Sequence, residues 1–303
     1  ITMILTFPSQ KVHRFRPLIR KIFPNIIFLK LFPNFRHLCY TLIMITNMQQ
    51  KGFLLAVKAG EIMMKNGGEI YRVEEIITRV CGACNIKHVE VFATPTGIFA
   101  SIGSEGDNSE VKTFIKAIKY RCTDLDKISH INALSRNFVR GKISLDDALI
   151  EADKIENLKP FKLPIQLFGA ALASSLFCLL FGGTLKDAVV GIFVGIISYL
   201  CSIFLGKYKI SYFIVDFFCC GVATFLALLS TYLHLADNAD FIIIGTLMLF
   251  VPGAAITNAL RDFLTGDMLS GVARLTEAFA IAIALALGAG LVLKLWLYIG
   301  GIF

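Results

Sequence analysis

The last 139 residues of the chain hold only 6 basic and 7 acidic side chains, and this scarcity constrains the fold more than any other feature. Apolar runs of 18 to 25 residues fill the region. A helix rises ~1.5 Å per residue, so such runs cover the ~30 Å hydrocarbon core of a bilayer. Backbone N–H and C=O groups cannot stay unpaired in lipid, and runs of this length satisfy them by forming helices. The first 164 residues, by contrast, carry 24 of the 30 Lys/Arg and 15 of the 22 Asp/Glu. A polytopic α-helical membrane protein is therefore expected, with about five transmembrane helices over 164–303 and an N-terminal cytoplasmic α+β domain over 48–163.

Five spans can be counted, at about 165–183, 188–205, 212–233, 241–259 and 275–299, the last ending on Lys294, Trp296 and Tyr298 as interfacial anchors. With the charged domain inside, Lys154, Lys159, Lys162, Lys207, Lys209, Arg261 and Arg274 fall inside and Lys186 and Lys294 outside. That bias predicts a multi-pass protein of the plasma (inner) membrane with its N-terminal domain cytoplasmic and its C-terminus outside. Gly191-x-x-x-Gly195 permits a close helix approach.

The net charge of +8 rests on residues 1–47, which contain seven basic residues and no acid. Without them the chain sits at +1, so no nucleic-acid partner is implied. Prolines at 8, 17, 24 and 33 interrupt the segment, and no helical or strand period is sustained in it. A start at Met48 is expected, making 1–47 a non-native or disordered extension. A targeting segment and a basic membrane-surface arm are the alternatives.

Within 48–163, the pattern predicts helices over 51–66 and about 69–83, separated by Asn66-Gly67-Gly68. VEVFATPTGIFASIG reads as a β-hairpin around Thr94-Pro95-Thr96-Gly97. The stretch 111–119 fits either a helix or a third strand. Helices at about 124–139 and 144–156 follow, with Ser144 and Asp147 spaced as a helix start. Cys81-x-x-Cys84 lacks a second close pair and lies in the last turn of a helix, so it reads as buried free thiols. No metal, cofactor or structural disulfide is expected.

Chemistry concentrates late in the chain. Pro252-Gly253 interrupts the fourth span and frees a carbonyl near Met248. Broken helices of this kind line cavities in transporters, and a simple kink healed by neighbouring helices is the alternative. Thr257, Asn258, Arg261, Asp262, Asp267, Arg274 and Glu277 follow within 21 residues, and the spacing of Arg274 and Glu277 puts them on one helix face. An inside loop of ordinary solvated charges is the competing reading. Asp216, inside the third span, either snorkels to the inner interface or serves as a protonatable site. No GxxxxGK[ST] loop is present, so coupling to an ion gradient fits better than ATP.

Three stretches resemble the threonine/serine exporter family. They are GEIMMKNGGEIYRVEEIITRVCGACNIKHVEVFATPTGIFASI, INALSRNFVRGKISLDDAL, and GTLMLFVPGAAITNALRDFLTGDMLSGVARLTEAFAIAIALALG. The resemblance implies secondary export of small amino acids such as threonine or serine, or of small carboxylates such as succinate; a protonatable carboxylate at membrane depth would make the proton the coupling ion. The resemblance also implies the larger subunit of a two-component carrier, completed by a small membrane subunit, within an oligomer. Motif by motif it points to Pro252, Gly253, Asn258, Arg261, Asp262, Gly266, Asp267, Arg274 and Glu277 in the membrane part. In the soluble part it points to Glu69, Arg72, Glu75, Thr94, Pro95, Thr96 and Gly97. Cys81 and Cys84 lie outside that pattern. The alternatives are a membrane-anchored hydrolase built on Glu69, Glu74 and Glu75, and a non-transporting scaffold.

Overall fold

The computed structural model describes residues 33–103, 112–119, 121–208 and 210–300, with side chains from residue 48 onward. Helix α1 runs from Pro33 to Lys65. The helix predicted from residue 51 thus begins earlier than its apolar pattern, its backbone running back over 33–47. Pro33 is tolerated at the first helical position, where its missing N–H has no intrahelical partner to lose, and the next proline is Pro95. Met48 sits inside this helix rather than before it. Residues 1–32 lie outside the described residues.

Asn66-Gly67-Gly68 turns the chain into α2, Ile70–Ala83. Gly67 has φ +87°, which a side chain would strain. A Cβ at Gly68 would collide with the Met63 side chain. Strands β1 (His88–Thr94) and β2 (Gly97–Gly103) form the expected hairpin, with Thr94 opposite Gly97. The ambiguous stretch is a strand, β3 (Lys112–Ala117), which pairs antiparallel with β2 in the order β1-β2-β3. Helices α3 (Leu125–Val139) and α4 (Leu145–Glu156) start on side-chain caps from Asp124 and Ser144. One core holds these elements together: Leu55, Ile62 and Met63 of α1, Ile70, Val73 and Ile77 of α2, Ile98 of β2, Ile131 of α3 and Ala152 of α4 are all buried.

Helices α5 (Leu163–Leu180), α6 (Leu185–Gly206) and α7 (Tyr212–Tyr232) follow. With α10 (Met268–Gly300) they are the four described helices long and apolar enough to cross a membrane. The chain is a membrane protein, mostly helical, with a small three-stranded sheet. The fourth span expected at about 241–259 is divided at the predicted break into two short helices, α8 (Ala239–Leu247) and α9 (Gly253–Thr265), the second running six residues past the expected end. Small residues set the packing between helices. A Cβ at Gly195 would sit 2.6 Å from Cβ of Ser174, and one at Gly245 would sit 2.7 Å from the Cys178 nitrogen. α10 has 33 residues, roughly 50 Å at ~1.5 Å per residue, so its first turns outrun a bilayer core and reach toward the α+β part.

Candidate functional site

The helix break comes first, because it positions everything after it. Pro252 has no N–H to return to the Met248 carbonyl. The last turn of α8 tightens instead, with Leu249 N–H on the Thr246 carbonyl at 3.1 Å and Phe250 N–H on the Leu247 carbonyl at 2.9 Å. Gly253 N–H then folds back onto the Val251 carbonyl at 2.8 Å. One turn before the break, a buried hydroxyl chain crosses three helices. Ser174 donates to the Gly191 carbonyl at 2.8 Å, and its oxygen lies 2.9 Å from Thr246 Oγ1. Past the break, the exposed Thr257 hydroxyl bonds back to the Gly253 carbonyl at 2.6 Å.

The second half-helix, α9, then meets the turn between α1 and α2. Asn258 Nδ2 donates to the Gly67 carbonyl at 3.0 Å, and Arg274 Nη2 donates to the Gly68 carbonyl at 2.7 Å. Glu69 is the N-cap residue of α2 but makes no capping bond. Its buried carboxylate instead receives Arg72 at 3.0 Å on one oxygen and Arg261 on the other. Arg274 Nε lies 3.1 Å from Asp262 Oδ2, a charge contact off the line of a hydrogen bond, with the two side chains 7% and 0% exposed. Gly266, at φ +92°, ends α9 in a left-handed cap. Asp267 closes the turn through its backbone, donating to the Asp262 carbonyl at 2.8 Å and accepting from Gly271 N–H at 2.9 Å.

The seam thus gathers Glu69, Arg72, Asn258, Arg261, Asp262 and Arg274 around the Gly67 and Gly68 carbonyls, with Gly68 and Arg274 206 positions apart in sequence. The expected Arg274–Glu277 pair does not form. Burial favours the partner that leaves no uncompensated charge, and for Arg274 that partner is Asp262. Glu277 faces elsewhere: Arg121 reaches it at 2.8 Å and the Tyr212 hydroxyl donates to it at 3.1 Å. Asp216 lies one turn further along α7, half-buried. Arg274 is therefore enclosed rather than presented to a cavity.

The remaining motif residues sit apart from the seam. Glu75 pairs with Arg79 on the outer face of α2. Thr94 holds the hairpin turn by donating to the Gly97 carbonyl at 3.3 Å, and Pro95-Thr96 forms the two-residue loop, with Ile118 N–H on the Thr96 carbonyl at 2.8 Å. Glu74 accepts the Ala93 N–H at 3.0 Å and so ties α2 to β1. Burial pushes its carboxyl above the ordinary range; the Ala93 N–H opposes this and the nearby Asp267 charge adds to it. The three glutamates proposed for a hydrolytic site thus serve separate structural contacts. Cys81 and Cys84 are buried at the end of α2, and burial raises the Cys81 thiol to about 12.

Sequence reasoning missed Arg121, Tyr212, the Gly67 and Gly68 carbonyls, and Asp187. Only Asp187 carried a local signal, the Thr184-x-x-Asp187 spacing of a capping box. The others become functional neighbours through folding alone.

Comparison with known proteins adds the following. A family described as "Putative threonine/serine exporter" matches residues 54–296. A curated relative from Mycobacterium tuberculosis (strain ATCC 25618 / H37Rv), named "Probable threonine/serine exporter", is 24% identical over 226 residues, 74% of this chain and 42% of the relative. The chain thus spans less than half the length of that relative. No solved structure matches.

Proposed function

The chain belongs to the threonine/serine exporter family, and from that membership we propose that it is a secondary exporter subunit for small hydrophilic solutes. The cargo classes are small amino acids such as threonine and serine, and small carboxylates such as succinate. The coupling ion is a proton. The observation that carries the reading is the helix broken at 248–252, with α8 and α9 on either side. Discontinuous helices supply unpaired backbone groups and half-helix ends at membrane depth, where a polar cargo needs partners.

The seam has a mechanical part in this reading. Asn258, Arg261, Asp262 and Arg274 hold α9 to the Gly67-Gly68 turn, so α9 moves with the α+β part. The broken segment, with Pro252, Gly253 and Thr257, borders the cargo path. Glu277 and Asp216 are the carboxylates placed to exchange protons, since neither is fully buried. The α+β part is cytoplasmic, and α8 and α9 together make a fifth crossing of the inner membrane that leaves the C-terminus outside. A second, smaller membrane subunit completes the carrier, and the assembly is oligomeric.

The test is efflux from cells or vesicles preloaded with labelled threonine, serine or succinate, with and without a protonophore, in the presence of the partner subunit. Efflux above that of protein-free membranes, and its loss on collapsing the proton gradient, are expected. Pro252→Ala should restore a continuous helix and abolish efflux at unchanged membrane abundance. Undiminished efflux by that variant would remove the break from the mechanism.

A further inference from the structure

At the end of the helical bundle away from the α+β part, one carboxylate joins two loops. Asp187, the third residue of α6, is fully buried. Thr184 caps the helix by accepting the Asp187 N–H, and Asp187 Oδ2 accepts the Thr184 N–H at 2.9 Å. This much is an ordinary capping box. The second oxygen does something else. Oδ1 accepts the N–H of Asp237 at 2.7 Å and of Asn238 at 3.0 Å. Asn238 is the N-cap residue of α8, and its own side chain makes no capping bond. One carboxylate therefore completes the start of α6 and also fixes the two residues that lead into the first half of the broken helix. Asp237 closes the junction from its own side. Its Oδ2 accepts the Thr184 hydroxyl at 2.9 Å, and its Oδ1 pairs with the exposed Lys186 at 3.3 Å.

We infer that Asp187 is a positioning residue of the transport cycle. It latches the loop before α8 to the α5–α6 turn, and this latch must open for cargo to leave at that end of the bundle. The inference rests on the exporter reading. Three observations favour a latch over a simple cap. The charge is held by backbone N–H groups of the two segments it joins, with the Thr184 side chain beside them, so separating the segments exposes polar groups that water can satisfy. The outer pair, Lys186 and Asp237, is 70% and 42% exposed and can part at little cost. Finally, α8 has 9 residues and ends at the break, so a shift of its loop and first turn, made against its packing on α5 at Gly245 and Thr246, need not drag α9, which the seam holds.

The experiment bridges the latch. Cysteines replace Lys186 and Asp237 in a full-length chain whose native cysteines have been exchanged, and a short bismaleimide links them in the membrane. With the partner subunit present, efflux of labelled threonine, serine and succinate is compared with the same protein treated with a monofunctional maleimide. The linked protein should slow about ten-fold or more, because opening gates release. Equal rates in linked and unlinked protein would overturn the latch. If the unlinked protein moves none of the three solutes, the exporter reading fails for them, and the latch is then judged without cargo. Spin labels at 186 and 237 should show two distance populations, one short and one longer, with the longer enriched by Asp187→Asn. A single short population in both proteins would reduce Asp187 to a structural cap.

Discussion

Two arginine–carboxylate pairs join α10 to its surroundings, three residues apart on one helix, and they differ mainly in burial. Arg274–Asp262 is enclosed, with side chains 7% and 0% exposed. Arg121–Glu277 is open, at 30% and 23%. Coulomb attraction at similar distances is far stronger where water is excluded, but desolvation takes back most of the gain. The two pairs therefore differ less in what they add than in what their loss leaves behind. Breaking the enclosed pair strands a charge in an apolar seam, whereas breaking the open one hands a charge to water. Chemistry that must cycle, such as proton exchange or release of a partner, belongs with the second kind. The enclosed pair is suited to permanent fastening.

The largest expected effect follows directly. Asp262→Ala leaves Arg274 buried with only the Gly68 carbonyl, and should destabilise the protein by about 3–5 kcal/mol. Thermal unfolding of detergent-purified protein, and membrane abundance, would register the loss. Replacing both partners, Arg274→Met with Asp262→Leu, should recover most of it, since an apolar pair removes the desolvation penalty as well. A single substitution with wild-type stability would break the contrast at its root.

Glu61 tests an intermediate case. The residue is 8% exposed, but its partners Lys65 and Lys116, at 2.7 and 3.0 Å, are more open at 36% and 42%. Burial works against the charged form, yet the lysine hydrogen bonds outweigh it and hold the Glu61 carboxyl below its ordinary 4.5. A carboxylate with a lowered value stabilises the fold above the unfolded value, and that contribution fades as pH falls through 4.5 and below. Glu61→Gln should cost about 1–2 kcal/mol near neutral pH and nothing at strongly acidic pH. Acid titration of stability, variant against wild type, reads this directly. A difference that persists below pH ~3 would mean that packing, not charge, sets the contribution of Glu61.

The sequence made some of this visible. Ser144 and Asp147 marked a helix start, the TPTG turn marked a hairpin, and Pro252 marked the break, because caps, turns and breakers act within a few residues. The span lengths were legible from composition alone. What stayed hidden depends on approach between distant segments. Three-residue spacing put Arg274 and Glu277 on one face, but it could not reveal that Asp262 lies across the seam or that Arg121 waits below Glu277. The Gly67 and Gly68 carbonyls were unreadable as ligands, since a backbone oxygen has no letter in the sequence. The helical backbone over 33–47 was obscured by reading Pro33 as a breaker when it opens a helix. Asp187 was overlooked because a charge near the end of an apolar run resembles an interfacial residue until its second oxygen is seen to bind another loop.

The smallest effect on stability should accompany the most informative effect on turnover. Glu277→Gln removes a charge from the open pair but keeps an acceptor for the Tyr212 hydroxyl and for Arg121. Half-exposed pairs of this kind contribute roughly 0–1 kcal/mol, so folding and membrane abundance should stay near wild type. Salt should weaken the wild-type contact, because screening reaches groups open to solvent, while leaving Arg274–Asp262 largely untouched. If Glu277 carries the coupling proton, the variant should lose the response of efflux to an imposed proton gradient while still binding cargo. Efflux per inserted molecule, measured against gradient size, separates the outcomes. A flat response in the variant with a steep one in wild type assigns coupling to the open pair, as its exposure suggests. An unchanged slope would remove Glu277 from the coupling step, leave Asp216 as the remaining candidate, and make the open pair a tether like the enclosed one.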